Sequence, residues 1–151
     1  VYIFIKLFIN IVNFERARFE IIQKSTKKFS RITNETQDTI LKDIETFNFS
    51  KMIDEVIKNI LNDSKFDLKD ITPMMIVISE LHQIYDSFTQ KFLDELNKIV
   101  KECYTETSKG FKNDEEEEKK LNKKKLFTSL SIECYLYGIE KNQLRFYVVF
   151  L

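Results

Sequence analysis

An amphipathic helical pattern follows the motif Phe47-Asn48-Phe49-Ser50-Lys51. A later helical pattern ends at the motif His82-Gln83-Ile84-Tyr85-Asp86-Ser87-Phe88. Hydrophobic residues recur between the two motifs at Ile53, Val56, Ile57, Ile60 and Leu61. This spacing places them on one face of a helix that packs against a core. Ser50 is expected to cap this helix, because a serine hydroxyl can accept a hydrogen bond from a first-turn amide.

The next helix of this region has a clear start. Thr72 is expected at its cap and Pro73 at its first helical position, where the missing proline N–H breaks no hydrogen bond. The run Met74–Ile78 is apolar on all sides, which indicates burial between two neighbouring helices. Asp86-Ser87 is expected to form a short turn to a fourth helix.

Helical patterns also flank this region. One begins near Asn34, and a fifth stops near Gly138, since glycine suits the left-handed end of a helix. Leu144 is expected to begin a sixth. Two Gly and one Pro in 151 residues leave too few turn residues for a β-sandwich or barrel. The predicted fold class is therefore all-α.

The arrangement of the helices is less constrained by the sequence. Short links force consecutive helices to run antiparallel. The helix pairs recur every 38 to 50 residues, roughly the period of HEAT-type repeats. An ordinary helical bundle would give much the same pattern, so periodicity alone leaves the solenoid and the bundle both open.

Charge is balanced overall but unevenly distributed. Residues 1–33 hold seven Lys/Arg and two Asp/Glu, a net charge of +5, whereas residues 34–111 carry −6. A total net charge of zero argues against binding of nucleic acid by the chain as a whole. Candidate contacts to RNA or a partner are therefore local. They are Arg16, Arg18, Lys24, Lys27, Lys28 and Arg31 in the N-terminal basic segment, with Lys123, Lys124 and Lys125 nearer the C-terminus.

Both sets of cations also have an interpretation in which they bind nothing and serve only the structure. Phe14, Phe19 and Phe29 interleave the N-terminal basic segment, and an exposed helix face whose aromatics pack on the first repeat would give the same pattern. Lys123–Lys125 follow the acidic run Asp114–Glu118 in a low-complexity stretch. Such a stretch is typical of a solvated, mobile connection, which we expect within residues 105–125.

No residue set for catalysis, a cofactor or a metal accompanies these motifs. His82 is the one histidine of the chain, and Cys103 and Cys134 form no CxxC pair. We expect a non-enzymatic protein without cofactors, whose cysteines are buried in a reducing compartment. In the motif that also contains Gln83, His82 is expected to anchor a helix junction by bonding main-chain groups, with Tyr85 packed below.

Residues 1–24 form an apolar and basic N-terminal segment, which is expected either to lie outside the core or to extend a helix. Val1–Phe14 is strongly apolar but shorter than the ~20 residues that a membrane span needs. It also lacks the basic start and the cleavage site of a signal peptide. No membrane partner is therefore expected. Because the first residue is Val1, we expect a fragment or a faulty gene model, with the apolar runs Val1–Phe14 and Phe146–Leu151 as non-native flanks of a truncated domain.

Several short pieces of the chain follow the order of a known family. They are Ser25-Thr26-Lys27-Lys28-Phe29, Ile32-Thr33, Phe49-Ser50-Lys51, Lys65-Phe66-Asp67-Leu68-Lys69-Asp70-Ile71, Leu81-His82-Gln83-Ile84-Tyr85-Asp86-Ser87-Phe88, and Lys125-Leu126 to Leu130 with Glu133, Leu136, Tyr137, Gly138 and Ile139. In this order they resemble the middle domain of initiation factor four-G, and most closely its first copy in the up-frameshift protein two family. The resemblance implies a HEAT-like α-α superhelix, a solenoid of antiparallel helix pairs. The module would occupy 25–151, carry the charged insertion at 105–125, and be truncated in the third pair.

The resemblance also implies a function. Family members are non-catalytic scaffolds of nonsense-mediated mRNA decay, and they bridge the surveillance helicase and a partner linked to the exon junction. This implies protein partners bound through the full-length protein, a candidate RNA contact, and a cytoplasmic or perinuclear location. The alternative is a middle-domain scaffold of translation initiation that binds RNA or a helicase. The structural residues of the module would be Ser50, His82, Gln83, Tyr85 and Gly138.

Overall fold

The computed structural model describes residues 1–62, 65–110 and 112–139, and within these ranges the chain forms six α-helices and no β-strand. The helices are α1 (Tyr2–Thr26), α2 (Gln37–Thr46), α3 (Ile53–Leu61), α4 (Ile71–Ile84), α5 (Asp86–Ser108) and α6 (Asp114–Leu136). The turns Lys27–Ser30, Ser50–Met52 and Leu68–Asp70 are short 3₁₀ helices. The predicted all-α class is therefore confirmed for the described residues. Leu144, the expected start of a further helix in the third pair, lies outside them.

Helices that are two apart in the chain lie side by side. α4 contacts both α2 and α6, and α3 contacts α5. The consecutive helices α4 and α5 also contact each other, as do α5 and α6. The helices thus form two rows, with α2, α4 and α6 in one and α3 and α5 in the other. The hydrophobic core includes side chains from every helix of both rows, among them Phe29, Phe49, Phe88 and Phe92 from turns and helices.

The apolar run on α4 is buried as its sequence predicts. Met74, Met75, Val77 and Ile78 are each no more than 1% exposed. Three helices surround α4, namely α2, α5 and α6, and this explains why apolar side chains cover nearly all of its faces. Ile76 is the exception, at 36% exposed, because it points away from these neighbours.

Two of the predicted helix caps are wrong. Ser50 is exposed and begins a 3₁₀ turn, and its amide donates to the Asn48 side chain at 2.9 Å, so Asn48 supplies the acceptor. Before α4, Asp67 and Asp70 form a capping box, in which the Asp67 amide donates to Asp70 Oδ2 at 3.0 Å. This reciprocal pair satisfies two amides and starts the helical path ahead of Thr72.

The break between α4 and α5 is shorter than predicted. Asp86 and Ser87 belong to the first turn of α5, and Tyr85 alone has an extended backbone, with φ −115° and ψ 107°. One extended residue is enough to redirect the chain, because it interrupts the run of helical dihedral angles. Asp86 then lies in the first turn of α5, where a carboxylate interacts favourably with the helix dipole.

The charged stretch is largely helical rather than a mobile connection. α5 continues to Ser108, and α6 begins at Asp114, so most of residues 105–125 lies in these two helices. Asn113 caps α6 by accepting from the Glu116 amide at 2.8 Å. Four acidic residues occupy the first turn of α6, at the positive end of its dipole. The Lys120 ammonium, 2.7 Å from Glu116, lowers the pKa of the Glu116 carboxyl below its ordinary value.

Gly138 ends α6 as predicted. Its φ of +73° is left-handed, a conformation that L side chains adopt only with strain. The Gly138 amide donates to the Tyr135 carbonyl at 3.0 Å, and the Ile139 amide donates to the Cys134 carbonyl at 3.0 Å. These two bonds make a Schellman motif, and Ile139 returns to the core at 5% exposed.

Candidate partner-binding surfaces

The His-Gln-x-Tyr motif lies at the junction of α4 and α5 and joins it to the link after α2. His82 Nδ1 lies 2.5 Å from the Thr89 hydroxyl on α5, so its partner is a side chain and not the main chain as we expected. The Tyr85 hydroxyl accepts from the Phe49 amide at 2.9 Å. Gln83 is exposed at this junction. The motif thus holds two helix pairs together, and its half-buried histidine and tyrosine are occupied by structural bonds.

The C-terminal end of α1 and the turn after it (residues 22–28, the foot of α1) are held by polar contacts to helices α2–α6 and their links (the body), and these contacts range from buried to exposed. Asn59 on α3 donates to the Thr26 carbonyl at 2.8 Å, and the Ser25 hydroxyl donates to Asp43 Oδ2 at 2.6 Å. Lys28 reaches the same carboxylate oxygen at 2.6 Å. Lys28 is therefore engaged with its own chain, which makes it a poorer candidate for an external contact than its neighbours.

The other cations of the N-terminal basic segment are exposed but do not share one face. Arg16 and Arg18 are two residues apart on a helix and therefore point in different directions. Arg16 lies 3.5 Å from Glu20, an exposed pair that contributes little. Lys24, Lys27 and Arg31 are exposed close to the body. The structure therefore places these last three, rather than the arginines of α1, beside the folded core.

The aromatics of this segment separate into two groups. Phe29 is fully buried, and its ring lies edge-on to Phe49 with centroids 5.4 Å apart. Phe14 and Phe19 are 66% and 51% exposed on α1. Phe29 therefore packs in the core, whereas the expectation that Phe14 and Phe19 also pack against the folded part of the chain is wrong.

The three consecutive lysines of α6 are also separated by the helix. Lys123 and Lys125 are exposed, whereas Lys124 is partly buried, with its ammonium 4.0 Å from the centre of the Tyr104 ring. This geometry is a cation–π contact and fixes Lys124 against α5. The structure does not present Lys123–Lys125 as one basic patch.

A groove that the sequence did not reveal runs between α3, α5 and α6. Its volume is about 410 Å³, and its lysines are Lys65 in the link after α3 and Lys119 and Lys123 on successive turns of α6. Phe66 and Phe127 meet edge-on in its lining, with centroids 5.5 Å apart. The packing of α6 on α5 brings Lys119 and Lys123 to Lys65, so no sequence spacing could have signalled the groove.

The cysteines are buried as expected. Cys134 Sγ lies 3.8 Å from Met75 Sδ between α6 and α4, and burial raises the pKa of the Cys103 thiol above its ordinary value. Among the residues that the structure describes, no group of three or more His, Cys, Asp or Glu side chains is placed to hold a metal ion. Within the same ranges, none of the helices combines the length and apolarity needed to cross a membrane.

The candidate surfaces are thus the exposed length of α1, the cations at its foot, and the groove beside α6. Searches among family models, curated proteins and solved structures found no match to this chain.

Proposed function

We propose that this chain is a non-catalytic scaffold with a HEAT-like superhelical arrangement, acting in cytoplasmic surveillance of mRNAs with premature stop codons. The observation that carries the proposal is the side-by-side placement of helices two apart in the chain. In a solenoid, equivalent helices of successive pairs pack on each other in this way, and each pair buries a face against the next. The two rows therefore support a solenoid over the ordinary bundle that periodicity left open.

The role in mRNA surveillance is proposed because the order of the motifs resembles that of the up-frameshift protein two family. A structural role for these motifs is supported by one contact between them. The hydroxyl of Tyr85, in the His-Gln-x-Tyr motif, accepts a hydrogen bond from the amide of Phe49, in the Phe-Ser-Lys motif. In this proposal the full-length protein binds protein partners of the surveillance complex, including its helicase and the partner linked to the exon junction. Lys24, Lys27 and Arg31, exposed beside the folded core, are the proposed RNA contacts.

The test is affinity purification, from cell extract with and without RNase, of the tagged full-length protein that contains this chain. We expect the surveillance helicase to be recovered in both samples, because a scaffold holds its partner by protein contacts. Recovery of initiation factors instead would support a scaffold of translation initiation. Helicase recovered only without RNase would contradict direct binding, and recovery of neither class would contradict the proposed process.

The RNA contact is checked on the purified chain by paired variants. Replacing both Lys24 and Lys27 with Ala should weaken RNA binding and reduce the salt dependence by about 0.7 per lost single-strand contact. Lys51→Ala with Lys98→Ala is the matched control, since both lysines are exposed on the body and outside the basic segment. Equal binding by the two double variants would exclude the proposed RNA contacts.

A further inference from the structure

The N-terminal half of α1 exposes an unusually apolar surface. Ten of the thirteen residues from Tyr2 to Phe14 are hydrophobic, and each of these ten is at least 47% exposed. The three polar residues, Lys6, Asn10 and Asn13, are spaced so that they form one narrow stripe. A contiguous exposed apolar surface of this extent marks a site of interaction.

The apolar side chains of this segment point in every other direction. Ile3, Phe4 and Ile5 are consecutive, so their side chains leave the helix about 100° apart. A second copy of the chain, packing through its own α1, would cover one stripe and leave the rest in water. A fluid apolar phase covers all of these faces at once. The distribution therefore favours acyl chains over another helix.

Charge indicates which lipid surface would fit. Arg16 and Arg18 follow the apolar segment directly, and Lys24, Lys27 and Arg31 lie farther along. Glu15 and Glu20 oppose them, yet residues 1–33 keep a net charge of +5. Basic residues beside an inserted apolar segment are attracted to anionic headgroups. The acidic body, with −6 over residues 34–111, would be repelled from the same surface.

The attachment of α1 to the body agrees with this order of an apolar segment followed by basic residues. Ile22 packs against the core and Thr26 is buried, so the foot of α1 is held by the body. The segment from Tyr2 to Phe14 is about 20 Å long, against a hydrocarbon thickness of about 30 Å. It is long enough to enter one leaflet. Lys6 is the one charged side chain within it, and its flexible stem allows the ammonium to reach towards the headgroups.

We propose that residues 2–14 insert into the acyl layer of an anionic membrane surface, with Arg16 and Arg18 among the headgroups. This goes beyond the scaffold function and replaces the expectation of no membrane partner. That expectation considered the length needed to span a bilayer, which does not limit insertion into one leaflet.

Flotation of the full chain with lipid vesicles tests the proposal. We expect the wild type to float with vesicles of phosphatidylcholine and phosphatidylserine, and more weakly with phosphatidylcholine alone. Replacing Phe4 and Phe8 with Asp should reduce the affinity at least about 100-fold, because charged groups are excluded from the acyl layer. The matched control places Asp at Leu68 and Leu121, which are 46% and 44% exposed on the body, and should float like the wild type.

The arginines are tested on the same vesicles. Replacing Arg16 and Arg18 with Ala should weaken binding to phosphatidylserine vesicles about fivefold per arginine. The same change should leave binding to phosphatidylcholine unaltered. Equal losses on both kinds of vesicle would overturn the assignment of these arginines to anionic headgroups.

A fluorescent reporter distinguishes insertion from self-association. The chain has no Trp, so Phe8→Trp places a single reporter in the apolar segment, and Leu121→Trp places the control on α6. We expect brominated acyl chains to quench the fluorescence of the Phe8→Trp variant and leave that of the control unchanged. Absence of quenching, unaltered flotation of the Asp variant at Phe4 and Phe8, or a stable oligomer that does not float would each overturn the proposal. Circular dichroism confirms that each variant keeps the helical content of the wild type.

Discussion

Replacing Phe29 with Ala is expected to lower the free energy of unfolding by about 3–5 kcal/mol, the usual loss for a buried phenylalanine. The Phe29 side chain is fully buried and meets Phe49 edge-on at 5.4 Å. Its removal would leave a cavity where the foot of α1 meets the first helix pair. Urea denaturation followed by circular dichroism measures the loss. If Phe29→Ala does not fold, Phe29→Leu provides a milder version of the same cavity.

The matched control for this prediction is Phe19→Ala. Phe19 is the same residue type on the same N-terminal segment, but its side chain is 51% exposed. Its removal should change the free energy of unfolding by no more than ~0.5 kcal/mol, as for most surface substitutions. Equal effects at Phe19 and Phe29 would contradict the placement of α1 relative to the core.

Tyr85→Phe is expected to destabilise the protein by about 1–3 kcal/mol, although it removes only one oxygen atom. The hydroxyl accepts from the Phe49 amide at 2.9 Å and donates to the Phe47 carbonyl at 3.5 Å. Phe49 is fully buried, so its amide would lose its acceptor in a place that water does not reach. The melting temperature should fall by about 2–4 °C for each kcal/mol lost.

Tyr2→Phe is the control for the tyrosine hydroxyl. Tyr2 is 79% exposed at the start of α1, so the same chemical change there should leave the melting temperature unaltered. A variant at Tyr85 that melts with the wild type would show that the junction between the two sequence motifs does not depend on this hydrogen bond.

Features that depend on local pattern were predictable from the sequence. The apolar run on α4 predicted a helix buried on several sides, and Gly138 predicted the end of α6 because a left-handed residue favours glycine. The residues at which the helices begin were predicted less well. Several residues near each start can accept a hydrogen bond, and only the backbone path selected Asn48 over Ser50, and Asp67 with Asp70 over Thr72.

The helix within the charged run was missed although its signals are local. The run was expected to be mobile from its composition, yet the Asn113 cap and the pairing of Glu116 with Lys120 support a helix. Features that depend on distant packing were not predictable. The groove with Lys65, Lys119 and Lys123 exists only because α6 packs against α5. Phe19 is exposed and Phe29 is buried because of where α1 leaves the packed helices, and this depends on the tertiary fold.

Helices two apart in the chain lie side by side. The contact of α4 with α6 tests this arrangement most directly, because Met75 Sδ lies 3.8 Å from Cys134 Sγ across that interface. A nuclear Overhauser measurement should show a cross-peak between the Met75 methyl group and the Cys134 β-protons. Absence of this cross-peak, in spectra that do show contacts within α4 and within α6, would contradict the two-row arrangement.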